Sequence, residues 1–339
     1  MIYNQNAGWG QALLNMVASQ VPAMGNLFVV MKSSDSDENN YHVLQDIILP
    51  DPDGRVRFFT SLESAYEACE SNNNDVILLD ANGTHAIDAG IAWSKNRIHV
   101  FGMDGGDRLV QQGAKVSTAA DTAEAYVIKV TGVRNSFRNV KFVQASKEAT
   151  ALTVAQFGGE GNLYKNCSFV FGTDTNLDGS ETTTYEVVCG EDSGTFINCT
   201  FGSDTLCTTG ARAVMAIDQV TSGQEMKSCQ FVDCLFNIQS KSADANFIRV
   251  IASTDLKFTQ LFKNCTFLAA INHTHSSVTL TDAVDSASGL DEGNILFVGA
   301  ASNCTSFCSA ITNNIKICGW NSDSDPESDE EAGVGCVPA

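Results

Sequence analysis

The sequence predicts an all-β chain: a right-handed, single-stranded parallel β-helix, or solenoid, with a short helical or mixed region ahead of it and a helix capping its N-terminal end. Three observations carry that expectation. A six-residue frame recurs along the chain, its copies are spaced as solenoid coils are, and within the frame apolar residues fall two apart, as they do on one face of a strand.

The copies are Phe137-Arg138-Asn139-Val140-Lys141-Phe142, Tyr164-Lys165-Asn166-Cys167-Ser168-Phe169, Phe196-Ile197-Asn198-Cys199-Thr200-Phe201, Phe231-Val232-Asp233-Cys234-Leu235-Phe236 and Phe262-Lys263-Asn264-Cys265-Thr266-Phe267. They begin 27, 32, 35 and 31 residues apart. Such uneven spacing suits a solenoid, whose outer loops need not match from coil to coil. The small apolar residue and the closing Phe share a strand face and point inward. Stacking the coils therefore builds one ladder from Val140, Cys167, Cys199, Cys234 and Cys265, and a second from Phe142, Phe169, Phe201, Phe236 and Phe267. Cys serves here as a small buried hydrophobe. Asn139, Asn166, Asn198, Asp233 and Asn264 stand where the chain must bend; Asn tolerates left-handed backbone and hydrogen-bonds across turns, so a stacked Asn ladder is expected.

Between the frames lie apolar segments at 126–130, 214–217 and 247–251, so each coil carries at least two strands. Upstream, residues 75–79 and 97–102 read as opening strands with a turn at Asn82-Gly83. Thr60-Ser61-Leu62-Glu63 has the form of a capping box, and Leu62, Ala65, Tyr66 and Cys69 follow at helical spacing. A helix over 61–71 would cover the open edge of the first coil.

These Asn-Cys-Thr-Phe frames resemble those of pectate-lyase-like parallel β-helix proteins over roughly residues 75–310. The resemblance concerns architecture; enzymes of this fold mostly act on polysaccharides, and fold alone does not specify chemistry.

The ends differ from the middle, and the domain reading is 1–59 as an N-terminal attachment region, 60–320 as the solenoid and 321–339 as an acidic tail. Trp9, Leu13, Met16, Val17 and Val21 fall on one helical face, suited either to the solenoid's own end or to another protein. Residues 27–31 read as a strand, followed by a polar run at 33–38. The tract at 323–331 is too acidic for a core.

Composition narrows the function. The 339 residues are 43% apolar, with 27 Gly and 5 Pro, and can supply a core. Twenty Lys and Arg against 40 Asp and Glu give a net charge of −20, which disfavours nucleic acid and anionic membranes as partners. No secretory signal or membrane span is visible, so most of the 12 cysteines are expected to be reduced and the Asn-X-Ser/Thr matches incidental. Cys304, Cys308, Cys318 and Cys336 lack zinc-site spacing. His42, His85, His99, His273 and His275 are scattered.

A polysaccharide lyase needs a base beside a cation, and a hydrolase needs two carboxyls about 5–9 Å apart. Coils lie about 4.8 Å apart, so carboxylates on neighbouring coils could meet the second requirement. Asp192, Asp218, Asp233 and Asp255 are candidates, with Arg212 and Arg249 as cationic partners; the alternative is that all face solvent or close turns. No catalytic residue is assigned. No cofactor is expected beyond calcium: Asp174, Asn176 and Asp178 with Gly179 match the start of a calcium loop, but Tyr185 occupies the position of the bidentate Glu, which leaves an ordinary polar turn as the other reading.

The whole layout is similar to bacteriophage virion proteins of head-decoration, fibre or tailspike type, which set a β-helix behind a small attachment segment. That likeness implies a structural virion component, attached through residues near Trp9, Leu13, Met16 and Val17. It would form a homo-oligomer, a trimer, on other virion proteins such as a capsid protein. A tailspike-like lyase or hydrolase, or a glycan-binding β-helix meeting a cell-surface glycan, is the alternative.

Overall fold

The computed structural model describes residues 25–31, 57–81, 83–103, 113–119, 123–146, 151–172, 184–202, 206–207, 212–240, 244–269, 280, 282–285, 292–304 and 315–318. Trp9, Leu13, Met16 and Val17, the candidate calcium residues Asp174, Asn176 and Asp178, and the acidic tract lie outside them.

The chain is a parallel β-helix. Strands β1 (Leu27–Val30) and β2 (Phe58–Phe59) and helix α1 (Leu62–Ala68) precede the first coil, β3 (Asp75–Leu79), β4 (Thr84–Ile87) and β5 (Ile91–Trp93). Next come β6 (Ile98–Gly102), β7 (Lys115–Thr118) and β8 (Ile128–Val130), then β9 (Ser136–Arg138), β10 (Lys141–Gln144) and β11 (Thr153–Phe157). The middle coils are β12 (Leu163–Lys165), β13 (Ser168–Phe171) and β14 (Tyr185–Cys189), followed by β15 (Thr195–Ile197), β16 (Thr200–Phe201), β17 (Leu206–Cys207) and β18 (Ala213–Ile217). The last are β19 (Met226–Lys227), β20 (Gln230–Val232), β21 (Leu235–Ser240) and β22 (Asn246–Val250); β23 (Leu256–Lys263), β24 (Thr266–Ala269) and β25 (Val284–Asp285); and β26 (Glu292–Val298), β27 (Ala301–Ser302) and β28 (Ile315–Cys318).

Each coil visits three sheets in turn, of 12, 9 and 7 strands among the described residues, and the pairing throughout is parallel. Coils of this kind are right-handed, because a twisted strand returns onto its own sheet only that way. Three strands per coil replace the minimum of two that the repeat requires.

The six-residue frame spans the end of a first-sheet strand, the bend and the start of a second-sheet strand. At the bend Asn139, Asn166, Asn198, Asp233 and Asn264 all have φ between 52° and 56°, and Gly299 closes the series at 64°. Most side chains pay to enter this left-handed region; Asn, Asp and Gly enter it readily. The side chains then bind one another: Asn166 Nδ2 donates to Asn139 Oδ1 at 3.0 Å, Asn198 Nδ2 to Asn166 Oδ1 at 2.8 Å and Asn264 Nδ2 to Asp233 Oδ1 at 3.2 Å.

Behind the bend, Cys167, Cys199, Cys234 and Cys265 are free thiols, buried one above another. Each Sγ donates to the carbonyl of the leading aromatic one coil earlier: Cys167 to Phe137, Cys199 to Tyr164, Cys234 to Phe196 and Cys265 to Phe231, at 3.4–3.5 Å. A valine of similar size fills the site at Val140 but has no such donor.

The leading aromatics point inward as well, so the frame contributes two aromatic columns. Phe137, Tyr164, Phe196, Phe231, Phe262 and Phe297 stack in one, with Phe196–Phe231 and Phe231–Phe262 centroids 4.5 Å apart and rings within 2° of parallel. Phe142, Phe169, Phe201, Phe236 and Phe267 stack in the other at 4.8–5.5 Å. Stacked pairs of this kind contribute about 0.5–1.5 kcal/mol each beyond the apolar area they bury.

α1 closes the N-terminal end. Its cap is Ser61, whose Oγ accepts from Ser64 N at 3.2 Å, one residue on from the Thr60 start that the sequence pattern suggests. Leu62, Ala65, Tyr66 and Cys69 join the core, and Tyr66 stacks on Trp93 at 4.1 Å. Lys95 Nζ donates to the carbonyls of Tyr66, Glu67 and Cys69, where the helix end carries partial negative charge. β1 and β2 belong to the first sheet, which therefore begins inside the segment assigned to attachment.

Placing a carboxylate in the thiol column should be costly. Cys199→Asp is expected to lower unfolding free energy by several kcal/mol, whereas Cys199→Ala should lose only about 1–2, with both read from urea unfolding. Equal midpoints for the two variants would contradict an inward Cys199.

Candidate functional site

The four candidate aspartates separate. Asp233 is part of the Asn ladder, at the bend between first and second sheets. Asp192 sits at the bend between third and first sheets, bridged to Glu160 and Lys227, with its Oδ1 accepting from Ser193 Oγ at 2.7 Å. Only Asp218 and Asp255 come together. Asp218 follows β18, and Asp255 lies in the short turn after β22, one coil later. Asp255 is buried, its Oδ2 accepts from Ala252 N at 3.0 Å, and its carboxyl is raised above the usual range by burial and by the nearby Asp218 charge.

The two arginines also part. Arg249 lies on the outer face of the third sheet, where Nε donates to Asp285 Oδ2 at 3.0 Å and Nη2 to Asn246 Oδ1 at 3.1 Å. Tyr185, two strands away, adjoins the same guanidinium across the small side chains of Ala213 and Ala216. Arg212 instead is buried against Glu186, with its guanidinium 4.9 Å from the Phe171 ring centre, and burial holds its pKa down at about 9. Removing either member of such a pair strands a buried charge, a loss of about 3–5 kcal/mol.

A second interior ladder runs along the bend between third and first sheets. Asn135 Oδ1 accepts from Ile98 N at 2.9 Å, Asn162 Oδ1 from Asn135 N at 2.7 Å, Glu191 Oε1 from Asn162 N at 3.2 Å and Gln260 Oε1 from Cys229 N at 2.7 Å. In each, a side-chain oxygen satisfies a backbone N–H of the preceding coil. Glu191 serves because Gly194 occupies the aligned position: a Cβ there would lie 2.7 Å from the Glu191 carboxyl carbon. Burial raises the Glu191 carboxyl to about 7, and the adjoining Tyr164 hydroxyl is pushed up by burial and by Glu191.

The sequence singled out neither Glu186 nor Glu191. Glu186 aligns with the core residues Val154 and Val214, a register visible only once β11, β14 and β18 are paired. Asn166, Asn198 and Asn264, three of the glycosylation matches, are ladder members. Among the described residues, no three His, Cys, Asp or Glu side chains gather as metal ligands would. No described helix is long and apolar enough to cross a membrane.

No family model and no curated protein matches this chain. Among solved structures it is similar to the pectin methylesterase from Aspergillus niger in deglycosylated form, at 13% identity and a TM-score of 0.45 over 91% of this chain and 94% of that one. It is also similar to pectin methylesterase PemA from Erwinia chrysanthemi, at 12% identity and a TM-score of 0.40 over 86% and 92% of the two chains. The Dettilon tailspike protein matches at 12% identity and a TM-score of 0.29 over 80% of this chain and 63% of that one. Likeness at these levels transfers no chemistry, and the parallel β-helix is established by the strand pairing of the chain itself.

Glu191 makes stability depend on pH. Its folded pKa, about 7, lies above the ordinary 4.5, so its contribution is fully present below pH 4.5 and is lost as pH rises through 7. Between pH 4.5 and 8.5 the wild type should lose on the order of 3 kcal/mol relative to Glu191→Gln, which keeps the acceptor for Asn162 N–H. Urea unfolding of both proteins at the two pH values tests this; parallel pH profiles would assign the dependence elsewhere.

Proposed function

We propose that this chain is a structural protein of a bacteriophage particle: a surface-exposed capsid decoration, fibre or tail-associated β-helix. The reading has it assembled as a homotrimer and joined to a capsid or other virion protein through its N-terminal region. One observation carries it: among the described residues, the buried charged and amide side chains of three separate ladders and pairs hold coils together. Asp233 and the asparagines lock the first bend, Glu191 and Gln260 the second, and Glu186 and Arg212 neutralise each other in the interior. Such a rod needs no pocket to work; it needs stiffness and solubility. The −20 net charge supplies solubility and keeps copies from associating except where surfaces match.

A specific observation favours a second reading, a polysaccharide lyase or hydrolase of tailspike type. Asp218 and Asp255 are neighbouring carboxylates in unlike environments, and the buried one has its proton affinity raised. A glycosidase separates its acid from its base in the same manner.

Two measurements divide these readings. In the structural reading, purified particles contain the chain at fixed copy number, the isolated protein has the mass of a trimer, and deletion of residues 1–24 leaves the solenoid folded but absent from particles. A strict monomer at micromolar concentration, or normal incorporation of the truncated chain, counts against that reading. In the enzymatic reading, the chain depolymerises a host capsular polysaccharide, and Asp255→Asn lowers the rate about 100-fold or more without changing the unfolding midpoint. Absence of cleavage across the host's surface glycans would leave the structural reading standing.

A further inference from the structure

The bend from third sheet to first turns on one left-handed residue in each coil. Arg97, Arg134, Gly161, Ser193, Ser228 and Phe258 hold that place, with φ between 50° and 63°. Parallel pairing of the residues around them sets them one above another. Glycine enters this region freely, and a residue as bulky as phenylalanine enters it only against steric resistance. Phe258 gains little packing in return, since it is 63% exposed. The coil before it turns on Ser228 and the coil after it aligns Gly293, so the bend itself does not require an aromatic ring. A strained backbone under an exposed ring costs stability, and such costs persist where a residue serves something other than the fold.

The surroundings of the ring select its partner. Ser228 one coil earlier and Thr259 next in the chain are both exposed, and Gly293 on the other side adds no side chain, so the ring stands clear beside hydroxyl groups. Asp255 lies three residues earlier in the same turn, with half-buried Asp218 near it. Lys227 and Lys257 are both committed to Glu225, at 3.5 and 2.9 Å. Three carboxyl groups against two paired lysines disfavour an acidic ligand. A protein partner needs more apolar surface than this corner has: an ordinary interface covers about 800 Å² on each side. Among the described residues the other large apolar side chain exposed at the corner is Ile251, at 36%. One sugar ring fits in size and in chemistry. Its C–H face, weakly positive, lies flat on the negative face of an aromatic ring, and its hydroxyls bond to neighbouring hydroxyl and carboxyl groups.

We propose that Phe258 is a stacking platform for one ring of an uncharged glycan, which passes Asp218 and Asp255 on the same corner. Cleavage of the bound glycan rests on the enzymatic reading of those two carboxyls; binding does not. The corner is a ridge and not a pocket, so a polymer can lie across it from either side.

Affinity electrophoresis of the full chain in native gels containing mannan, glucan or galactan, with polygalacturonate as the acidic comparison, tests the assignment. At least one of the three neutral polymers should retard the wild type, and Phe258→Gly should weaken that retardation about 10-fold in apparent affinity. Phe258→Trp and Asp255→Asn should retain it, and Phe258→Gly should melt no lower than the wild type, because glycine relieves the left-handed strain. Binding through Phe258 without any cleavage of the polymer would support the platform and remove the enzymatic reading. Retardation by none of the neutral polymers, equal retardation of wild type and Phe258→Gly, tighter binding of polygalacturonate, or a lower melting temperature for Phe258→Gly would overturn the proposal.

Discussion

In a parallel β-helix the backbone of each coil finds its hydrogen-bond partners only in the coils before and after it, so the register of one bend is inherited by every other. A slip of one residue would turn each inward Phe to solvent and each charged neighbour into the core. Here the bend between first and second sheets enforces register three times over. The left-handed residue is Asn, Asp or Gly, the Asn side chains bind across coils, and the Cys behind four of these residues donates to the carbonyl of the previous coil. The aromatic columns then follow, because rings fixed at the same depth in successive coils have only one another to stack on.

The bend between third and first sheets solves the same problem with different chemistry. Its asparagines, Glu191 and Gln260 reach the backbone of the neighbouring coil and not one another's side chains. The difference explains what could be read in advance. The first bend repeats one residue type at one offset from two aromatics, so the frame, the strand faces and the stacking order are all visible as letters. The second places Asn135, Asn162, Gly194, Cys229 and Gln260 at one offset, two before the leading aromatic, but no residue type runs through the series, and at Gly194 the contact passes to Glu191 three residues earlier.

Candidate chemistry was less legible for a related reason. Carboxylates on neighbouring coils approach one another only if their loops end at the same corner, and loop lengths here vary from coil to coil. Asp218 and Asp255 meet in the connection from third sheet to first on successive coils, whereas Asp192, one coil earlier in the same connection, is held in backbone bridges to Glu160 and Lys227, and Asp233 lies at the first bend. Arg212 would pass for a surface cation by composition; the register that buries it beside Glu186 and Phe171 emerges only from strand pairing. The N-terminal end shows the converse: residues 27–31 read in sequence as part of a region distinct from the solenoid, and the parallel pairing of β1 with β3 joins them to the first sheet.

The stacked bend, with its buried thiol column, forms as one cooperative unit, and timed alkylation measures that directly. Burial raises the Cys199 and Cys265 thiols far above the ordinary value, and all four column thiols are shielded from solvent. With excess iodoacetamide at pH 8, Cys167, Cys199, Cys234 and Cys265 should stay unmodified in native protein and become reactive together at the urea concentration where the far-ultraviolet dichroism signal is lost. Prompt modification of these thiols in the native state, or their exposure one by one well below that midpoint, would contradict the account.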